Sequence, residues 1–145
     1  MVAKRESKMR NSILKYLQAS SMKHPENICV SDSSHSLTYA ESTAKSYAIS
    51  LQLRQLGSLN KPIVVFAKKS VNALSMIFSA TMAGGVYCPV DINSPKERLL
   101  KILSNLQDCL VLYDETSRNL LSSLELDSPI STINIDEIQI GRAHV

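Results

Sequence analysis

Hydrophobic positions fall into short strand-like runs separated by stretches with helical spacing. The continuous run at residues 62–67 (PIVVFA) is typical of a strand that is buried on both faces of a parallel sheet. Residues 109–113 (CLVLY) predict another buried strand, and residues 132–135 predict a last one. Two shorter β-prone runs, at residues 27–31 and 36–39, flank a polar turn and predict a small hairpin.

Helical spacing of apolar residues predicts helices around these strands. One should run from Ser12 to about Met22, and a weaker one should span residues 116–124. Between residues 40 and 56 a helix is predicted by apolar residues at helical spacing, with Gly57 at its C-terminus; these residues are Ala44, Tyr47, Ala48, Leu51 and Leu56. After an N-cap at Ser70 the predicted stripe is Val71, Leu74, Ile77, Phe78 and Met82, and Leu99, Leu103 and Leu106 line the following helix.

The segment at residues 81–100 (TMAGGVYCPVDINSPKERLL) contains a helix end, a strand and a helix start. The pair Gly84-Gly85 can adopt the positive φ that a helix end needs, and residues 86–90 predict a short buried strand. Ser94 is a suitable N-cap, and Glu97 lies three residues later, as in a capping box. Asp91 follows the strand, at the sheet edge where α/β proteins place ligands, although many such residues only bridge loops.

Strands and helices alternate at least three times after the hairpin. This order predicts the α/β class, with a partial, open, doubly wound and mostly parallel sheet flanked by helices. The length of 145 residues allows one domain with a real core, and 44% hydrophobic with 20% charged residues is an ordinary balance for a globular protein.

Composition and charge exclude several classes of protein. The apolar stretches are too short or too interrupted to span a membrane, so we expect a cytoplasmic protein with no membrane partner. The three cysteines are widely spaced and support neither a disulfide framework nor a zinc site. The first ten residues carry a net charge of +3, so they account for the whole net charge of the chain, and they contain no interleaved aromatics, so we expect no nucleic-acid partner.

The residues alone reveal no active site. With four glycines the chain has no GxGxxG or GxxxxGK[ST] motif, and the three histidines have no partner at metal-ligand spacing. Two carboxylate pairs, Asp114-Glu115 and Asp136-Glu137, are adjacent only in sequence and give little support to acid–base catalysis. One interpretation of these residues is therefore a non-catalytic α/β module that binds a partner.

Two motifs resemble those of the adenylate-forming (AMP-binding) superfamily. Residues 37–41 (LTYAE) are similar to its first core motif, and residues 83–91 (AGGVYCPVD) are similar to its second. The resemblance covers roughly residues 13–114, and it is strongest to the adenylation domains of nonribosomal peptide synthetases and the D-alanine–carrier protein ligases. Acyl-CoA synthetases rank second, because they tend to have Asn in place of Asp91. The motif residues, to which we assign a structural role, are Leu37, Thr38, Tyr39, Glu41, Ala83, Gly84, Tyr87, Pro89, Asp91, Pro95, Glu97 and Arg98.

The resemblance implies the N-terminal part of the large domain of an adenylate-forming enzyme. Such an enzyme uses Mg-ATP to activate an amino acid or other carboxylate as acyl-AMP, and then passes the acyl group to the phosphopantetheine thiol of a carrier protein. Departures at Ser42, Met82, Gly85 and Ile92 loosen the assignment to a subfamily. The family's phosphate loop and catalytic lysine have no counterpart in this chain, so the resemblance implies no catalytic, cofactor-binding or metal residue here and predicts an inactive fragment.

The last six residues, 140–145 (IGRAHV), resemble the translation of a common sequencing-adapter oligonucleotide. We therefore expect the natural sequence to continue differently after about Gln139. The predicted division is a basic N-terminal arm at residues 1–11, the N-terminal portion of an AMP-binding domain at residues 12–139, and adapter read-through at residues 140–145.

Overall fold

The computed structural model describes the backbone of residues 2–140 and the side chains of residues 13–140. The predicted alternation of strands and helices is confirmed. The elements in chain order are α1 (Val2–Lys23), β1 (Ile28–Ser31), β2 (Ser36–Thr38), α2 (Tyr39–Gln55), β3 (Pro62–Phe66), α3 (Val71–Met82), β4 (Val86–Pro89), α4 (Lys96–Asn105), β5 (Leu110–Tyr113), α5 (Arg118–Ser123), β6 (Ser131–Asn134) and a 3-10 turn (Ile135–Glu137).

The main sheet is parallel throughout, with strand order β4-β3-β5-β6, and the predicted hairpin forms a separate antiparallel pair of β1 and β2. Strand β3 lies inside the sheet, where Val64 is opposite Cys88 of β4 and Val111 of β5. Ile63 and Val65 pack into the core on one face of the sheet, and Val64 and Phe66 pack into the core on the other. The prediction that this run is buried on both faces is therefore confirmed.

Helices cover both faces of the sheet. One core cluster joins the strands to α2 and α3 through Ile49, Leu53, Met76 and Ala80, and the other joins them to α4 through Leu99 and Leu103. This arrangement confirms the predicted α/β class and doubly wound sheet. None of the helices in residues 2–140 is both long enough and apolar enough to cross a bilayer.

The strand predicted at residues 86–90 forms as β4, but the prediction that it is buried is wrong, because β4 is an edge strand. Within the described residues it pairs only with β3, and Val86 is 44% exposed. Pro89 fits this position, since a proline without an N–H is tolerated at the edge of a sheet and not in its middle.

The helix predicted at residues 40–56 is confirmed as α2, but its apolar stripe is not the face that the structure buries. Tyr47, Leu51 and Leu56 are 56%, 41% and 40% exposed, whereas Ile49 and Leu53 are fully buried. The buried face of α2 also contains three serines, Ser42, Ser46 and Ser50. Small side chains let this face lie close to its neighbours, so tertiary packing overrides the pattern of hydrophobicity. In α3, Val71 is buried as predicted, but Leu74, Ile77, Phe78 and Met82 are only half-buried, and Met76 and Ala80 point into the core.

Helix α1 begins at Val2, ten residues before the predicted start at Ser12. Its Leu17 is buried, and the helix ends at Lys23, close to the predicted end. The side chains of the basic N-terminal arm and residues 141–145 lie outside the described residues. The division at residues 11 and 139 stays a prediction.

Two of the predicted helix boundaries are confirmed and one is wrong. Gly57 follows α2 with φ of +75°, and Ser70 Oγ accepts the Ala73 N–H at the start of α3. The capping box predicted for Ser94 and Glu97 does not form, because α4 begins after Pro95 and has no side-chain cap. The Ser94 N–H instead donates to the Asp91 carbonyl in the preceding turn.

The α3–β4 turn places two adjacent glycines in different conformations. Gly84 has φ of +75°, which confirms half of the prediction, but Gly85 does not have a positive φ. Gly85 serves a steric purpose, because a Cβ atom there would overlap the side chain of Ile63. The turn therefore needs backbone freedom at one glycine and space at the other.

Candidate functional site

The carboxyl ends of the parallel strands carry a connected set of polar side chains. We call Lys45, Asn72, Asp114, Thr116 and Ser117 the Asp114 cluster. Asp114 directly follows β5, in the middle of the sheet edge where open α/β sheets bind ligands. The cluster joins α2, α3 and the β5–α5 loop at this edge.

Asp114 is 1% exposed, yet its carboxylate is well supplied with donors. Its Oδ1 accepts from Thr116 Oγ1 at 2.6 Å, from the Thr116 N–H at 3.1 Å and from the Ser117 N–H at 3.2 Å. Its Oδ2 accepts from Asn72 Nδ2 at 3.1 Å. Ser117 Oγ in turn donates to the Phe66 carbonyl at 2.7 Å, which ties the loop to the end of β3.

These bonds decide the charge of Asp114. Burial by itself raises the pKa of a carboxyl group, but the hydrogen bonds from the Thr116 and Asn72 side chains and the Ser117 N–H outweigh it, so the pKa of Asp114 is lowered. The group is therefore a buried, ionised acceptor whose two oxygens already have protein donors.

Lys45 closes the other end of the cluster. Its Nζ donates to Asn72 Oδ1 at 2.6 Å, so the Asn72 amide bridges a cation on α2 and an anion after β5. Burial lowers the pKa of Lys45, while the nearby carboxylates of Asp136 and Asp114 oppose that shift. The bridge fixes the orientation of the amide, because only its oxygen can accept from an ammonium.

The two carboxylate pairs of the sequence meet at this edge. The Glu115 N–H donates to Asp136 Oδ2 at 2.9 Å, and Asn134 Nδ2 donates to Glu115 Oε1 at 3.1 Å. These two bonds tie the end of β5 to the end of β6, and Glu115 Oε2 also pairs with Arg118 at 3.5 Å. This geometry positions loops and does not form an acid–base pair.

Asp32 ties the hairpin to the same edge. Its carboxylate accepts the N–H groups of Ser34 and His35, each at 2.8 Å, and the Val71 N–H at the start of α3, also at 2.8 Å. These backbone bonds, led by the bond from Val71, lower the pKa of Asp32 to about 2. The carboxylate therefore stays charged across the neutral range and holds the hairpin against α3.

The first family motif begins α2. Thr38 Oγ1 accepts the Glu41 N–H at 3.1 Å, and Glu41 Oε1 accepts the Thr38 N–H at 2.9 Å, which is a complete capping box. Leu37 pairs with Val30 in the hairpin, and a hydrogen bond with the Tyr16 side chain raises the pKa of Tyr39.

The second motif follows β4 from the amino ends of the strands to their carboxyl ends. Ser58 Oγ donates to the Ala83 carbonyl at 2.8 Å, and the Asn60 N–H donates to the Gly84 carbonyl at 2.8 Å. Tyr87 is half-buried opposite Ile63, and Pro89 lies opposite Val65. Asp91 is exposed, and its carboxylate accepts the Asn93 N–H at 3.0 Å. Pro95 occupies the N-cap position of α4 without a side-chain cap, and Glu97 and Arg98 are exposed on that helix.

The structure therefore does not bring the twelve motif residues into one site. Thr38, Glu41 and Asp91 satisfy nearby backbone groups, and the glycine turn fixes the entry to β4. Their assignment as structural residues stays a prediction.

The described residues form no site that fits Mg-ATP. Within the described part of the chain no three His, Cys, Asp or Glu side chains are grouped so that they could hold a metal ion, and each oxygen of Asp114 already accepts a hydrogen bond from the protein. Cavities of about 460 Å³ and 340 Å³ lie at the opposite, amino edge of the sheet, beside Lys61 and Gly84 respectively. Nothing at the carboxyl edge in this structure assigns a step of catalysis to these residues.

Sequence reasoning missed the Asp114 cluster as a unit. Asp114 follows a predicted strand, but Asn72 lies 42 residues before it in the sequence, and Lys45 lies 27 residues before Asn72. The usable signal was topological, because polar residues that follow parallel strands or begin the helices after them collect at one edge.

The family profile described as AMP-binding enzyme matches residues 17–143. Gramicidin S synthase 2 of Brevibacillus brevis is 32% identical over 106 residues, which are 72% of this chain and 2% of that protein. Gramicidin S synthase 1 of the same organism is 27% identical over 119 residues, which are 81% of this chain and 11% of that protein. The chain thus spans only a small share of these relatives.

Solved structures agree on the fold. The nonribosomal peptide synthetase FmoA3, bound to α-methyl-L-serine-AMP, superposes with a TM-score of 0.79 at 24% identity over 90% of this chain and 14% of its own. VinN with 3-methylaspartate gives a TM-score of 0.72 at 22% identity, over 86% of this chain and 34% of its own. At such identities the likeness shows the fold alone. The profile match, which covers most of the chain, shows that this polypeptide belongs to the family of AMP-binding enzymes.

Proposed function

We propose that this polypeptide is part of an ATP-dependent ligase that activates an amino acid as its acyl-adenylate and passes the acyl group to the phosphopantetheine thiol of a carrier protein. The observation that carries the proposal is the family match over residues 17–143, together with relatives that are peptide synthetases. The whole enzyme would use ATP and Mg²⁺, and its partners would be an amino-acid substrate and a carrier protein.

In this proposal the 145 residues supply a scaffold and no reacting group. The sequence has no Gly-rich phosphate loop, and each oxygen of the buried Asp114 carboxylate accepts a hydrogen bond from a protein donor. We therefore expect the chain by itself to be inactive in adenylation. Its role would be to hold the loops at the carboxyl edge in place.

A first experiment extends the reading frame. Sequencing the source locus downstream of the codon for Gln139 should show a frame that continues into a Ser/Thr/Gly-rich loop with a lysine. A stop codon after Val145 in the genome would contradict the ligase and favour the non-catalytic module.

The second experiment measures ATP–pyrophosphate exchange by the extended protein with the twenty amino acids and with fatty acids as separate substrates. Exchange that depends on one or a few amino acids is expected, and exchange only with fatty acids would support the acyl-CoA synthetase alternative. The 145-residue chain is the matched control, and it should give the background rate.

Transfer to a carrier is tested separately. The extended protein is incubated with ATP, the activating amino acid and a phosphopantetheinylated carrier domain, with the unmodified apo-carrier as control. A thioester that forms only on the modified carrier is expected, and equal transfer to coenzyme A alone would contradict the carrier assignment.

A further inference from the structure

We draw no further inference here: the strongest candidate, the cavity of about 460 Å³ at the amino edge of the sheet beside Leu103 and Ile130, has a rim where Lys61 and Asp108 pair with each other, and nothing in the structure shows what covers it.

Discussion

Replacing the buried carboxylate of Asp114 tests the central claim about the carboxyl edge. In Asp114→Ala the Asn72 Nδ2 donor loses its acceptor, and the Ser117 N–H keeps only its bond to the Asp114 carbonyl. The exposed Thr116 can turn its donors to water, so the cost falls on the other two groups.

The expected loss follows from those two groups. A buried donor left without a partner costs about 1–3 kcal/mol, and removing one member of a buried charged network costs about 3–5 kcal/mol. Because Asn72 is only half-buried and the Ser117 N–H keeps one acceptor, we expect the lower end, about 3 kcal/mol of unfolding free energy.

The assay is urea unfolding followed by far-UV circular dichroism, since the chain has no tryptophan. With a slope of about 2 kcal/mol per molar urea for a chain of this size, the midpoint should fall by about 1.5 M. If the variant is already partly unfolded in buffer, titration with trimethylamine N-oxide restores a folded baseline, because this osmolyte favours compact states.

Matched variants make the test specific. Asp136→Ala removes an exposed carboxylate from the same edge and should cost about 1 kcal/mol or less. Asp114→Asn keeps the shape but places an amide against Asn72, so its cost should lie between the two. An Asp114→Ala loss no larger than the loss for Asp136→Ala would refute the reasoning.

The pH dependence supplies an independent check. Because the pKa of Asp114 is lowered on folding, its contribution is present above the unfolded value of about 3.8 and disappears as the pH falls through the lower folded value. The difference in stability between the unsubstituted chain and Asp114→Ala should therefore shrink below about pH 4. A constant difference down to pH 2 would contradict an ionised Asp114.

Three further predictions concern the helices. Ser46 is fully buried, and its hydroxyl has no partner within the described residues. Ser46→Ala should therefore stabilise the chain by about 0.5–1 kcal/mol in urea unfolding. The control Ser50→Ala removes a bond to a backbone carbonyl and should not stabilise it. Thr38→Ala removes the capping box of α2 and should lower the free energy of unfolding by about 1 kcal/mol. Ser94→Ala, at the predicted cap that does not form, should lower it by less than about 0.5 kcal/mol. Equal effects would contradict the assigned caps. Asp32 has a pKa of about 2, so its stabilising effect should be full above about pH 4 and should be lost as the pH falls toward 2. Asp32→Asn should flatten that part of the stability curve, and an unchanged slope would contradict the tie between the hairpin and α3.

The sequence by itself determined the order and type of most elements. The run at residues 62–67 has apolar side chains at every position, and a strand with a helix layer on each face buries residues 63–67. Local sequence also determined where α2 ends, at Gly57, and where α3 begins, after Ser70, because a positive φ and a capping hydroxyl act within one helical turn.

Only the tertiary structure decided which faces and edges are covered. The apolar stripe with Tyr47 and Leu51 has good helical spacing, yet α2 buries its serines and Ile49 instead. Small side chains let α2 lie close to the neighbouring elements, and that distance is set by the whole fold. The position of β4 at the sheet edge is likewise a property of strand order, which periodicity does not encode.

The candidate site depended most on tertiary structure. Asp114 could be placed at the end of a strand from the sequence, but its partner Asn72 lies 42 residues away, and Lys45 lies 27 residues from Asn72. Periodic patterns register neighbours within about four residues along a helix or two along a strand. The crossovers of a parallel sheet bring the distant polar residues to one edge, and there they set the charge and hydrogen bonds of Asp114.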